Sequence, residues 1–178
     1  MLTSRTKIDT PRVWVGCVTC VRNGDLNGRW IDAIDAETVF PQDLHNGPTT
    51  HDELWCYHSK NMLRDYEMDL EEAGQQAQCL AAVDPYERDA LRAWARSSAE
   101  LTDSDGLPDL DEFHDRYKGE WSSFTAYADY YLANIGLLDG VDESVTRYFD
   151  LAAYARDLKQ GYKTLPTDDD TVFVFADS

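Results

Sequence analysis

Along the first third of the chain, apolar and polar positions alternate with a period of two. Arg12-Val13-Trp14-Val15-Gly16-Cys17-Val18 and Gly28-Arg29-Trp30-Ile31-Asp32 both set β-branched and aromatic side chains on alternate positions, the pattern of strands. Between them Asn23-Gly24-Asp25 tolerates positive φ, which predicts a turn. A third apolar-aromatic run, Leu54-Trp55-Cys56-Tyr57-His58, is expected to complete a small antiparallel sheet. The stretch from Pro41 to Asp52, with Asn46-Gly47-Pro48 inside it, reads as loop.

The period then changes to that of a helix. Asp69 to Val83 is rich in good helix formers, with Leu70, Ala73, Ala77, Leu80 and Ala81 along one stripe. Asp84-Pro85 reads as the start of a second helix, Asp as N-cap and Pro at the first position, with Tyr86, Ala90, Leu91, Trp94 and Ala95 as its apolar stripe. The run from Thr102 to Asp109 breaks the pattern and reads as a linker. Beyond it, Asp109 and Glu112 form a capping-box-like pair opening another helix. Ser122 or Ser123 caps a longer one that Gly136 closes. Leu151 to Leu158 is a further helix ended by Gly161, and residues 171–176 read as a strand that pairs with residues 162–165. The fold class expected is α+β, in three small modules: a β-rich N-terminal one (1–61), a helical central one (62–105) and an α+β C-terminal one (106–178).

Charge sharpens this picture. The 178 residues hold 34 Asp or Glu against 16 Lys or Arg, a formal net charge of −18. Residues 1–61 contribute a net of −2 and residues 62–178 a net of −16. With five Trp and ten Tyr the chain can bury a core, so the acidity belongs on a folded surface rather than to a disordered tail. Such a surface repels nucleic acid and anionic membranes and attracts basic partners. No run approaches the roughly 18 apolar residues of a membrane span, and the N-terminus lacks the order of a secretory signal, so a cytoplasmic location is expected.

Catalytic chemistry finds little support. There is no GxSxG, P-loop, GxGxxG or HExxH. Carboxylates are too abundant for any pair to stand out as acid and base. Cys17-Val-Thr-Cys20 has metal or redox spacing, but it lies in a strand pattern with no second CxxC, so buried free cysteines are the simpler reading. His45, His51 and His58 follow one another at intervals of six and seven, which are read as no common ligand pattern; they and His114 are expected at the surface or in turns. No enzyme activity, metal or cofactor is therefore expected. The acids themselves are the candidate site: Asp109, Asp111, Glu112, Asp115 and Glu120, then Asp129, Asp139, Asp142, Glu143, Asp150 and Asp157. Tyr148 and Tyr154, interleaved with the last of these, are expected to pack between helices.

The order of motifs resembles the ArdA antirestriction family. Val13 to Trp30 is similar to its strand–turn–strand opening, with Gly24-x-Leu26-x-Gly28-x-Trp30 at the close, and Asp65-Tyr66-Glu67 resembles its short central motif. Tyr117-Lys-Gly-Glu120, Ser123-Phe124, Tyr127-Ala128, Gly136-Leu-Leu-Asp-Gly140, Tyr148-Phe-Asp150 and Ala153-Tyr-Ala-Arg-Asp-Leu158 follow in the family's order. The segment between Trp30 and Leu54 departs from it, being short and carrying Pro41 and Pro48 where the family has a more clearly helical, acidic stretch.

This resemblance implies an elongated three-module DNA mimic that occupies the DNA-binding groove of type I restriction–modification enzymes. It implies a homodimer formed through the C-terminal module, with Leu137, Leu138, Asp139, Gly140 and Val141 in the antirestriction motif and possible dimer region. Charge is of the right order: a compact chain of this length is about 40 Å across, and B-DNA of that length carries about 24 phosphate charges. The alternatives are an acidic mimic aimed at another DNA-binding defence or nucleoid protein, and an enzyme using a carboxylate pair or the Cys17 and Cys20 thiols.

Overall fold

A computed structural model describes residues 10–97 and 106–177, and the chain divides into two compact units, Met1–Pro108 and Asp109–Ser178. Thr102 to Asp105 of the expected linker lie outside the described residues, and the boundary between the units falls in the remainder of that run.

The first unit opens with strand β1 (Arg12–Cys17), which runs straight into a short helix α1 (Val18–Arg22). Strand β2 (Gly28–Asp32) and strand β3 (Leu54–Lys60) flank β1 on either side, both antiparallel to it. The period of two is realised on β1: Val13, Val15 and Cys17 are fully buried on one face. On the other face the Trp14 indole lies over Gly16 and Gly28, which sit opposite one another in the register. A Cβ at Gly28 would come within 2.5 Å of both the Trp14 ring and the Val15 carbonyl oxygen. Because that oxygen is main chain and cannot swing away, Gly28→Ala is expected to destabilise the unit by about 2 kcal/mol, read as a lowered urea midpoint.

Between β2 and β3 the chain forms a 3-10 turn (Ala33–Thr38) and helix α2 (Pro41–His45). The expectation of loop from Pro41 is therefore corrected over its first five residues. Pro41 is pre-set for the first helical position, the Phe40 N–H donates to Asp43 Oδ2 at 2.8 Å, and Asn46 ends the helix in the left-handed region.

Helices α3 (Leu70–Ala81) and α4 (Arg88–Ser97) complete the unit. Asp69 caps α3 by accepting the Glu72 N–H at 2.7 Å. Ala73 and Ala77 share a core with Val13, Val15, Cys17 and Cys56 of the sheet, so the first sheet and α3 form one packed body. Two expectations change here. Ala81 is exposed, and Asp84-Pro85 starts a turn in which the Tyr86 N–H bonds to Asp84, so α4 begins at Arg88 and Tyr86 stands in solvent.

In the second unit, helix α5 (Leu110–Arg116) leads into strand β4 (Tyr117–Trp121). Helix α6 (Phe124–Asn134), the single turn α7 (Glu143–Thr146) and helix α8 (Leu151–Leu158) follow, then strands β5 (Tyr162–Pro166) and β6 (Val172–Ala176). The sheet order is β4-β6-β5, all antiparallel. Central β6 is buried on both faces, which is why it reads as an unbroken apolar run. Val174 packs with Phe124, Tyr127, Ala128 and Ala155, while Phe175 lies against Phe113 and Tyr117. Ser123 and Gly136 bound α6 as expected, Gly136 with φ of 62°.

Candidate functional site

Each acid nominated from the sequence lies in the second unit, so their mutual arrangement is internal to one packed body. All are exposed except Glu112, which is half-buried and held by Arg116 at 2.7 Å. That pair relieves part of the repulsion among the acids one turn apart on α5.

Their local roles differ. Asp109, Asp142 and Asp150 are N-caps: each side chain accepts a main-chain N–H one turn into its helix. Hydrogen bonds from Ser144, side chain and main chain, hold the Asp142 carboxyl below its ordinary range. With the folded pKa lowered, this cap's contribution is present above the ordinary carboxylate range and lost as pH falls through the lowered value. Glu120 accepts a bond from the Thr171 hydroxyl, and Asp157 lies 3.6 Å from its exposed neighbour Arg156. The carboxylates of Asp111, Asp115, Asp129, Asp139 and Glu143 have no hydrogen-bond or ion-pair partner among the described residues, and only Asp111 and Glu143 of these stand in a helix's first turn, where the helix dipole favours their charge.

Six of the ten bases beyond residue 61 turn instead to the main chain. Arg64 donates to the Ala95 carbonyl at 3.3 Å and Arg88 to the Leu80 carbonyl at 2.9 Å. Both acceptors lie in the last turn of a helix, where carbonyls lack partners of their own. Arg92 is buried and donates twice to the Asn61 carbonyl, at 3.1 and 2.8 Å, and to Asp89 at 2.7 Å. Arg96 reaches the Leu63 carbonyl at 3.2 Å and Asp65 at 2.9 Å. These four are all the bases between residues 62 and 97. In the second unit Arg116 also reaches the Asp177 carbonyl, and Lys118 the Asp115 carbonyl. In these six residues positive charge binds main-chain carbonyls, while Asp111, Asp115, Asp129, Asp139 and Glu143 face solvent. Divided by structural unit, the charge is even: residues 109–178 hold 15 acids and 6 bases, and residues 1–108 hold 19 and 10, a net of −9 each.

The motif segment Leu137–Val141 forms turns after α6, and around it Ile135, Leu137, Val141, Val145 and Tyr148 expose apolar surface. Tyr148 is 83% exposed, which corrects the expectation that it packs between helices; Tyr154 is half-buried against Phe149.

A second group was missed from the sequence. Cys17 ends β1 and Cys20 lies in α1, so the CxxC spans a strand-to-helix turn rather than a strand. His45 at the end of α2 and His51 in the following loop come back to it. The four ligand atoms, one per residue, all lie within 4.8 Å of one another. His58 and His114 are exposed, as expected of them. The signal was present in the CxxC and in the five residues between His45 and His51, a spacing that zinc sites use.

Among the described residues, no helix is long and apolar enough to cross a membrane. A comparison with individually curated proteins gives no match. The family model described as antirestriction protein (ArdA) matches residues 13–173, from the first strand to the last and through both units. The chain therefore belongs to the ArdA antirestriction protein family.

Proposed function

We propose that this antirestriction protein is a DNA mimic that occupies the DNA-binding groove of type I restriction–modification enzymes in the cytoplasm. One observation carries the reading: the arginines between residues 62 and 97 are turned onto carbonyls of their own fold while acids of the second unit stand in solvent without partners among the described residues. A surface built this way offers carboxylates where DNA offers phosphates, and DNA-binding proteins draw much of their affinity from phosphate contacts. Inhibition is competitive occupancy, and it requires no catalytic group or cofactor. The exposed apolar side chains around Leu137–Val141 support a homodimer through the second unit, with Asp139, Asp142 and Glu143 beside the contact.

The test is displacement of labelled DNA from a purified type I enzyme across a salt series. The expected result is complete displacement at low salt, with an affinity that falls steeply as salt rises. No displacement at the lowest salt overturns the reading.

A further inference from the structure

We infer that Cys17, Cys20, His45 and His51 form a closed, structural site for one tetrahedral divalent metal ion, zinc by preference. Cys17 Sγ lies 3.3 Å from His51 Nδ1, Cys20 Sγ lies 3.5 Å from the same nitrogen, and Cys20 Sγ lies 3.8 Å from His45 Nε2. Sulfur and nitrogen atoms bound to one tetrahedral zinc ion sit about 3.3–3.8 Å apart, from the usual zinc–ligand lengths and the tetrahedral angle. These three separations match a ligand set around a common centre, and all four ligand atoms lie within 4.8 Å of one another. Two thiolates and two imidazoles favour zinc over the hard cations, and their charges neutralise it.

The surroundings fit as well. Both cysteines are buried and both histidines half-buried. The Asn27 amide nitrogen lies 3.8 Å from Cys20 Sγ, where a donor to a thiolate belongs. The Cys17 N–H is bonded to the Asn27 carbonyl at 3.0 Å, which ties this residue to the same turn. With four protein ligands there is no open position for water or substrate, so the site is structural rather than catalytic. It fastens the β1–α1 turn to α2 and to the loop before β3, a stretch built of short elements with few apolar residues of its own. Cys56, in the same core, and Cys79 are buried but do not belong to the ligand group. This site is independent of the mimic surface, and either stands if the other fails.

The experiment uses the full chain, purified under reducing conditions, with bound metal measured by mass spectrometry. One zinc ion per chain is expected. Cys20→Ser and His51→Ala are each expected to lower that below a tenth, while Cys56→Ser retains it. Should the variants fold poorly, the unaltered chain stripped of metal and titrated with cobalt decides. The intense visible bands of tetrahedral cobalt and a thiolate-to-cobalt charge-transfer band, lost on adding one equivalent of zinc, support the site. A wild-type chain with no more metal than Cys20→Ser, or a weak octahedral cobalt spectrum without charge transfer, overturns it.

Discussion

Neutralising four carboxylates together, Asp111→Asn, Asp115→Asn, Asp129→Asn and Glu143→Gln, is expected to weaken inhibition of a type I enzyme on the order of a thousand-fold while leaving the fold intact. The magnitude follows from about 1 kcal/mol for each carboxylate removed from a partly screened interface, summed over four. Stability is expected to change by only about 0.5 kcal/mol per site, because none of these carboxylates has a partner among the described residues. Removing them also relieves repulsion between Asp111 and Asp115, which lie one turn apart on α5. Inhibition titrations at several salt concentrations read the effect, and circular dichroism checks the fold. A shallower salt dependence in the variant is the specific signature, since each neutralised carboxylate removes part of the electrostatic attraction. Unchanged inhibition would place the binding surface elsewhere on the molecule.

Arg92→Ala is expected to destabilise the first unit by about 3 kcal/mol, through the stranded carbonyl and the missing packing of the side-chain stem. The Arg92 side chain is only 7% exposed, and its guanidinium holds the carbonyl of Asn61 with two bonds. Asn61 has a φ of 60°, a left-handed conformation that turns the chain out of β3 toward the helices. Losing Arg92 leaves that carbonyl without its donor inside a packed region. Its partner Asp89 is mostly exposed and returns to water at little cost, so the destabilisation sits on the carbonyl. Hydrogen exchange of the α4 amides and a urea titration measure it. The substitution makes the net charge more negative, so a role in binding would predict better inhibition. A structural role predicts unaltered affinity for the fraction that remains folded.

Most elements were legible because their signals are local. Val13, Val15 and Cys17 alternate on β1, Ser123 and Gly136 bound α6, and the apolar run at residues 172–176 became a strand covered on both faces. Strand β4 was missed although Tyr117, Gly119 and Trp121 alternate with Lys118 and Glu120. Gly119, with φ of 103°, serves a bulge in β4 and blurs the pattern. The start of α4 was misplaced because Asp84-Pro85 suits a turn as well as a helix entry, and the choice lies in packing.

The residues by themselves determined the acidity, the α+β class, most of the strands and helices, and the ordered motifs of the ArdA family. They did so because charge is a sum over residues and because periodicity and capping act within a turn or two of chain. Only the tertiary structure decided where the charges point and which distant groups meet. That Arg64, Arg88, Arg92 and Arg96 turn onto carbonyls depends on helix ends and loops brought beside them by packing. The meeting of Cys17 and Cys20 with His45 and His51 depends on α2 and its loop folding back over the first strand. A contact between residues far apart in the chain is set by the whole core, and no local pattern encodes it.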